Sequence, residues 1–363
     1  MSFRKPIAGF YKRFEHRISS LFLLLGFILD ALTLQRADKL FENLWIAGYL
    51  VIIAVFIMLV HVTEKKGDSE GNMGQAHFWY VNILQFAFGG VFSAFLVLYF
   101  RSADIFSAWP FIALLALIFI ANEFIKKHYI RLSFQISLFF LAIYSFTIFS
   151  IPVILHKMGA WIFLLSGLIS LILIWLFIKI LFRFTKDKLG KSKKLLTLLI
   201  LSIFALVNFL YFTNVIPPIP LSLKDAGMYH TVHKTDTGYI VTYEDHGFWN
   251  YFNSYPDFHK TPESSVYAFS AIFSPKDLDM NIRHEWQHYD EIKKKWTTES
   301  VIKLPIIGGR VGGFRTYSKR TNIESGKWRV NIQTEQGKNI GRLRFTIVST
   351  DIMPPLKVEV KLK

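Results

Sequence analysis

The feature that most constrains this chain is a succession of long apolar runs. One of them, LLTLLILSIFALVNFLYF at residues 195–212, carries no charge at all. Crossing a hydrocarbon core of about 30 Å takes about 20 such residues in helical form. Seven stretches read as candidate spans: 18–35, 44–62, 79–100, 105–122, 133–155, 160–182 and 195–216. The first is the shortest and holds Asp30. It reads as a span, not a cleaved leader, because no small-residue cleavage site follows it and six further runs do. Composition agrees with a membrane class: 52% of residues are hydrophobic, 36 are Phe, and mean hydropathy is +0.34. With no cysteine, disulfides, iron–sulfur clusters and thiolate zinc sites are excluded.

Charge orders these runs. With the N-terminus in the cytoplasm, the inner segments hold 17 Lys and Arg, while the outer loops hold four: Arg36, Lys39, Arg101 and Lys157. That asymmetry is a positive-inside signal. It also accounts for much of the net charge of +16, which therefore reads as topology and not as a nucleic-acid footprint. Seven spans leave the C-terminal half on the extracytoplasmic side.

At NVIPPIPLS the pattern changes. Pro217, Pro218 and Pro220 cannot continue a helix. Beyond them, YIVTYE, VYAFSAIF, IRHEWQHY, ESVIKLPI, GKWRVNIQT and GRLRFTIVS alternate with period two, as strands do. The aromatic, turn-rich stretch 245–262 reads as a loop. The expected fold is a membrane α-helical bundle of about seven transmembrane helices followed by an all-β, immunoglobulin-like sandwich. Expected boundaries are 1–216 for the bundle, 217–238 for a Pro-containing linker and lead-in segment, and 239–363 for the sandwich.

Polar residues within apolar runs need partners, because charge in hydrocarbon is costly. Asp30, Arg36, Arg101 and Asp104 lie towards the outer side. Asn82, Gln85, Asn122, Glu123, Arg131 and Gln135 lie towards the inner side. Interhelical hydrogen bonding is favoured over a polar cavity, since most sit near span ends. Asp30, inside its run, is expected to pair with Arg101. Trp109-Pro110 is expected to kink the fourth span.

In the β half, NIRHEWQHYD (281–290) places Ile282, His284, Trp286 and His288 on one strand face and Arg283, Glu285, Gln287 and Tyr289 on the other. Trp286 is an expected core residue. His284 and His288 read as a hydrogen-bonded pair beside it, or as ligand-binding residues; no metal signature joins them to His230, His233, His246, His259, Glu244 or Asp245. GGRVGGFRTYSKR (308–320) lacks the ending of a phosphate-binding loop, and its glycines are expected to make a bulge or tight bend. Arg310, Arg315, Tyr317 and Lys319 are candidate binders of a carboxylate, phosphate or acidic sugar, set against a solvated basic edge, which is favoured. No nucleophile elbow or paired-carboxylate motif is present.

The run from about 266 to 348 resembles the bacterial domain of unknown function numbered 2914, in VYAFSAIF, IRHEW, GGRVGGFRTYSK, GKWRVNIQT and GRLRFTIV. The membrane half resembles that of longer members in GFILDALTLQRADKLFENL, LQFAFGGVFSAFLVLYFRSA and RLSFQISLFF. The resemblance implies a bacterial inner-membrane protein and carries no activity, cofactor or catalytic residue. The expected function is an inner-membrane protein presenting a periplasmic sandwich that binds an envelope component, saccharide or protein, with membrane lipids as further partners and no nucleic acid. An envelope enzyme acting on a lipid-linked or saccharide substrate, or a lipid or solute translocator, are the alternatives. No cofactor is expected.

Overall fold

In the computed structural model, the described residues are 27, 28, 30–34, 39–67, 74–102, 112–120, 132–216, 218, 220–244, 253–276, 278, 280–310 and 312–362. The chain divides into two compact units, one ending at Thr213 and one running from Asn214.

The first unit is helical: α1 (Leu40–Gly67), α2 (Gly74–Ser102), α3 (Leu132–Leu155) and α4 (Ala160–Phe212). Among the described residues, five helical stretches are long and apolar enough to cross a membrane: Phe41–Thr63, Trp79–Phe100, Leu132–Leu155, Ala160–Lys186 and Ser192–Phe212. They correspond to five of the seven expected spans. The other two, 18–35 and 105–122, lie partly outside the described residues, which show helix at 27, 28, 30–33 and 112–120.

At 53 residues, α4 would extend about 80 Å if straight, far beyond a bilayer core. It is instead two spans joined at Thr185, whose φ of −132° and ψ of 37° leave helical space. The two halves fold side by side, so Phe163 stacks on Tyr211 with centroids 3.6 Å apart. Gly167 permits the approach: a Cβ there would lie 2.9 Å from Phe204 and from the Tyr144 hydroxyl. Apolar side chains cover the outside of this unit, with Trp161 83% and Phe209 64% exposed. That surface is expected of helices that face lipid.

Among the described residues the second unit shows eleven strands. They are β1 (Ser222–Tyr229), β2 (Thr231–Lys234), β3 (Gly238–Glu244), β4 (Asp257–Lys260), β5 (Val266–Phe273) and β6 (Met280–Asp290). The chain continues through β7 (Lys295–Ile306), β8 (Phe314–Arg320), β9 (Gly326–Thr334), β10 (Asn339–Ser349) and β11 (Leu356–Leu362). They form three sheets, ordered β1-β5-β8, β4-β10-β9-β6-β7 and β11-β3-β2. Two strands, β1 and β2, lie within 217–238, and β4 lies in the stretch read as a loop. The latter pairs in parallel with β10, a partner 80 to 90 residues away.

The sheet β1-β5-β8 is the middle layer. On β5, Val266 and Ala268 enter a core with Trp286, Trp328, Val330 and Phe345 of the five-stranded sheet. Phe269 and Ala271, on its other face, enter a second core with Val232, Tyr239 and Val241. A strand buried on both sides needs apolar or small residues at nearly every position, which explains why VYAFSAIF is nearly continuous in character.

Candidate functional site

The two faces of β6 meet opposite environments. On the inner face, His284 and Trp286 are fully buried. The Trp286 indole N–H donates to Ser318 Oγ at 3.0 Å, and His284 Nδ1 lies 2.9 Å from the same oxygen. His284 Nε2 lies 2.9 Å from Ser270 Oγ. Ser318 Oγ thus accepts from the Trp286 indole N–H and shares a second hydrogen bond with His284 Nδ1, while His284 Nε2 bonds Ser270. Burial pushes the His284 pKa down to about 3, keeping the ring neutral. Both ring nitrogens are thus committed to serines of the middle sheet. His288 sits apart from this network, stacked on Trp328 with centroids 4.6 Å apart. The two expected partners therefore have separate tasks. Among the described residues no three His, Asp or Glu side chains are grouped to hold a metal ion.

On the outer face, the alternating residues of β6 and β9 spell the same pattern: Arg283-x-Glu285-x-Gln287 and Arg329-x-Asn331-x-Gln333. Antiparallel pairing sets Arg283 opposite Gln333, Glu285 opposite Asn331 and Gln287 opposite Arg329. The pattern is therefore self-complementary. Arg283 Nε donates to Gln333 Oε1 at 2.9 Å, and Arg329 Nε donates to Gln287 Oε1 at 2.6 Å. At the centre, Glu285 accepts from Asn331 Nδ2 at 3.0 Å, Gln333 Nε2 at 3.2 Å and Thr298 Oγ1 at 3.0 Å. From β10, Arg342 Nε donates to Asn331 Oδ1 at 2.6 Å. Three arginines are thus held by Nε to an amide oxygen, with Glu285 as the hub of the amides. Burial, then the neighbouring Arg342, lowers the Arg329 pKa to about 10. An aromatic corner closes one end: the Arg329 guanidinium lies 4.3 Å from the Trp296 ring, which packs on Tyr289 at 5.2 Å and on Tyr255 at 6.3 Å.

The glycine-rich candidates form a different surface. Gly309 and Gly313 have φ of +89° and +83°, and a Cβ on Gly308 would lie 2.0 Å from the Pro275 carbonyl oxygen, so the segment is a tight bend. It leads into β8, an edge strand. Arg310 lies over Phe314 at 5.0 Å, and Lys319 over Tyr267 at 5.7 Å. Tyr317 packs against Tyr239 and Tyr267, and the Arg315 carbonyl accepts from the Tyr239 hydroxyl at 3.1 Å. Arg310 and Lys319 are thus each laid over an aromatic ring.

A further cluster joins the bend between β1 and β2 to β3 and β4. Glu244 accepts from His230 Nε2 at 2.9 Å, from His259 N at 2.7 Å and from His259 Nδ1 at 2.7 Å. These bonds overcome burial, the largest single influence, and hold the carboxyl below its ordinary pKa. His230 is stacked on Phe258 at 4.2 Å, and its Nδ1 is buried without a hydrogen-bond partner.

In the helical unit, Asp30 is buried and accepts from Ser93 Oγ at 2.5 Å. The side chain of Arg101, its expected partner, lies outside the described residues, as do Arg36, Asp104, Trp109, Pro110, Asn122, Glu123 and Arg131. Asn82 is half-buried and Gln85 buried, both on α2. Gln135 of α3 is buried against His61 of α1, Oε1 to Nε2 at 2.9 Å, and Ser150 donates to Asn43 at 2.9 Å. These are interhelical hydrogen bonds of the favoured kind.

The profile of a family described as "Protein of unknown function (DUF2914)" matches residues 279–347. The chain carries a C-terminal domain of that kind. The matched span runs from the start of β6 to β10 and so contains the whole self-complementary pattern. No curated protein matches. Two solved structures align weakly. A beta-glucosidase from Listeria innocua, in complex with gluconolactone, aligns over 34% of this chain and 16% of its own, with 8% identity and a TM-score of 0.19. An alkylpurine DNA glycosylase from Pseudomonas fluorescens, bound to DNA containing an abasic site analog, aligns over 86% of this chain and 99% of its own, with 8% identity and a TM-score of 0.20. Neither likeness informs fold or function.

Proposed function

We propose that this is a multi-pass protein of the bacterial inner membrane that displays its β unit on the extracytoplasmic side, where the outer face of the five-stranded sheet binds an envelope component. The observation that carries the placement is the charge around the last span. Seven basic residues, Lys179 to Lys194, surround the joint of α4, and no Lys or Arg occurs from 195 to 223. Positive-inside retention holds that joint in the cytoplasm, and Ser192–Phe212 then makes one crossing before the strands begin. The face-to-face packing of the five-stranded and middle sheets supports a sandwich core, with β11-β3-β2 added outside it. A binding role is preferred to catalysis because the polar residues are spread across several strands of one sheet face.

The absence of cysteine makes the placement easy to test. Lys293→Cys, in the turn after β6, is expected to react with a membrane-impermeant maleimide on intact spheroplasts. Lys193→Cys is expected to react only after lysis. The opposite pattern sinks the orientation.

A further inference from the structure

We propose that β11 is the contact edge of a homodimer, in which β11 of two copies pairs antiparallel about Val360 and joins the two β11-β3-β2 sheets into one sheet of six strands. This goes beyond the envelope-binding reading and does not rest on it.

The edge is the first argument. Among the described residues β11 has one strand neighbour, β3, and the pairing runs unbroken from Leu356 opposite Glu244 to Leu362 opposite Gly238. A long, regular, apolar edge is a template for another strand, and proteins usually blunt such edges. The other edges of this unit are blunted. β2 and β4 have four residues each, and β1 carries a bulge between Leu223 and Asp225. β7 contains Pro305, and β8 carries Arg315, Lys319 and Arg320. β11 has seven residues with no proline, glycine or bulge. Lys361 is no guard, because its Nζ is held 3.0 Å from Asp225 and 2.9 Å from Glu359.

Exposure is the second argument. Val358, Val360 and Leu362 are 67%, 52% and 65% exposed. With Leu356 they alternate along one face of β11, and Ile240 of β3 lies opposite Val360. This aliphatic row sits on the rim of its sheet. Pairing two copies brings both rows together at the centre of the six strands, where each Val360 meets its counterpart.

The pattern of residues is the third argument. LKVEVKL reads the same in both directions, so an antiparallel copy meets the same alternation of aliphatic and charged side chains. A two-fold interface needs that self-complementarity. Register then follows from charge and from proline. Centring on Glu359 sets Lys against Lys and Glu against Glu, which is unfavourable. Centring on Val358 sets Lys361 and Leu362 against the partner's Pro355 and Pro354, which cannot donate to a ladder. Centring on Val360 sets Lys361 against the partner's Glu359 and Leu362 against the partner's Val358. Opposite charges and aliphatic pairs then face each other across the seam. Apolar helices that confine the copies to one membrane raise their effective concentration, so a short seam suffices.

The chain has no cysteine, so single thiols report the seam. The full chain is oxidised with copper phenanthroline in native membranes. Val360→Cys is expected to form a disulfide dimer. Val358→Cys and Leu362→Cys are each expected to stay monomeric, since like positions lie about 14 Å apart in this register, but to cross-link when co-expressed. Ile292→Cys, exposed in the turn after β6, controls for random collision. In mild detergent the full chain is expected to have the mass of a dimer, and Val360→Lys to weaken that dimer at least tenfold. Thermal unfolding checks that the variant is folded. The proposal is overturned by no disulfide at Val360→Cys, by one as strong at Ile292→Cys, by a monomeric solubilised chain, or by a dimer untouched in Val360→Lys. It is also overturned if the Val360→Cys thiol forms no disulfide and reacts only with a bilayer-soluble maleimide, because lipid then covers the row. The orientation is read from Lys293→Cys and Lys193→Cys instead, so the two proposals fail separately.

Discussion

The inner and outer faces of β6 share a backbone and differ in what polarity is for. Inside, His284 is polar but neutral, and its two nitrogens serve to tie the five-stranded sheet to Ser270 and Ser318 of the middle sheet. Outside, Arg283, Glu285 and Gln287 are tied to neighbours in their own sheet, and the charge is retained. One set of hydrogen bonds joins layers; the other arranges a surface. Stability should therefore reside in the inner set and ligand affinity in the outer one.

The largest expected difference comes from Trp286→Ala. Its indole is fully buried among Val330, Phe345 and Val266, so truncation leaves a cavity and removes one of the two hydrogen bonds on Ser318. A loss of about 3–5 kcal/mol is expected in denaturant unfolding of the detergent-solubilised chain. A loss no larger than that of an outer-face variant would break the comparison.

Acid should act through His284. Its folded pKa of about 3 lies below the ordinary 6.5, so the unfolded chain takes up a proton that the folded one refuses. The stability is fully present above pH 6.5 and drains away as pH falls towards 3, at about 1.4 kcal/mol per unit. The melting temperature should fall between pH 7 and pH 5, and His284→Gln should flatten that fall. Glu244 acts in a lower window: with its pKa depressed, its contribution is present above the ordinary carboxyl value of 4.5 and is lost as pH falls through the folded value.

Glu285→Gln is the intermediate case. It turns an acceptor of three bonds into a group with its own donors, and a loss of about 1–2 kcal/mol is expected. It also loosens the amides that hold the arginines. The smallest effect is that of Lys303→Gln, expected to cost under about 0.5 kcal/mol. A stability loss at Lys303 larger than at Glu285 would show that the outer face is structural.

What was legible in the sequence follows from distance along the chain. The spans at 79–100 or 195–212 are runs of local composition, and the alternation that buries Trp286 is local too. The strands β1, β2 and β4 lacked such a signal. β4 is four residues long and earns its place from β10, far along the chain. The Glu244 cluster draws on residues 230, 244 and 259, and nothing before the pairing of β3 and β4 with their partners brings them together. Likewise Ser93 as partner of Asp30, and His61 as partner of Gln135, depend on helix packing. The outer-face pattern is different: R-x-E-x-Q and R-x-N-x-Q were both readable, and only the antiparallel register was needed to see that they complete one another.

The middle position of β5 has a consequence for how the unit is made. Its neighbours β1 and β8 are separated by most of the domain, and β3 is sandwiched between β2 and the far strand β11. Hairpins such as β6-β7 and β9-β10 can form early, but the central layer must wait for residue 320 and the third sheet for residues 356–362. A fold with so many distant pairings is slow to close. During synthesis the face of β5 that carries Val266 and Ala268 therefore stays uncovered until Trp328, Val330 and Phe345 have been made, and through that interval the chain depends on being kept from its neighbours.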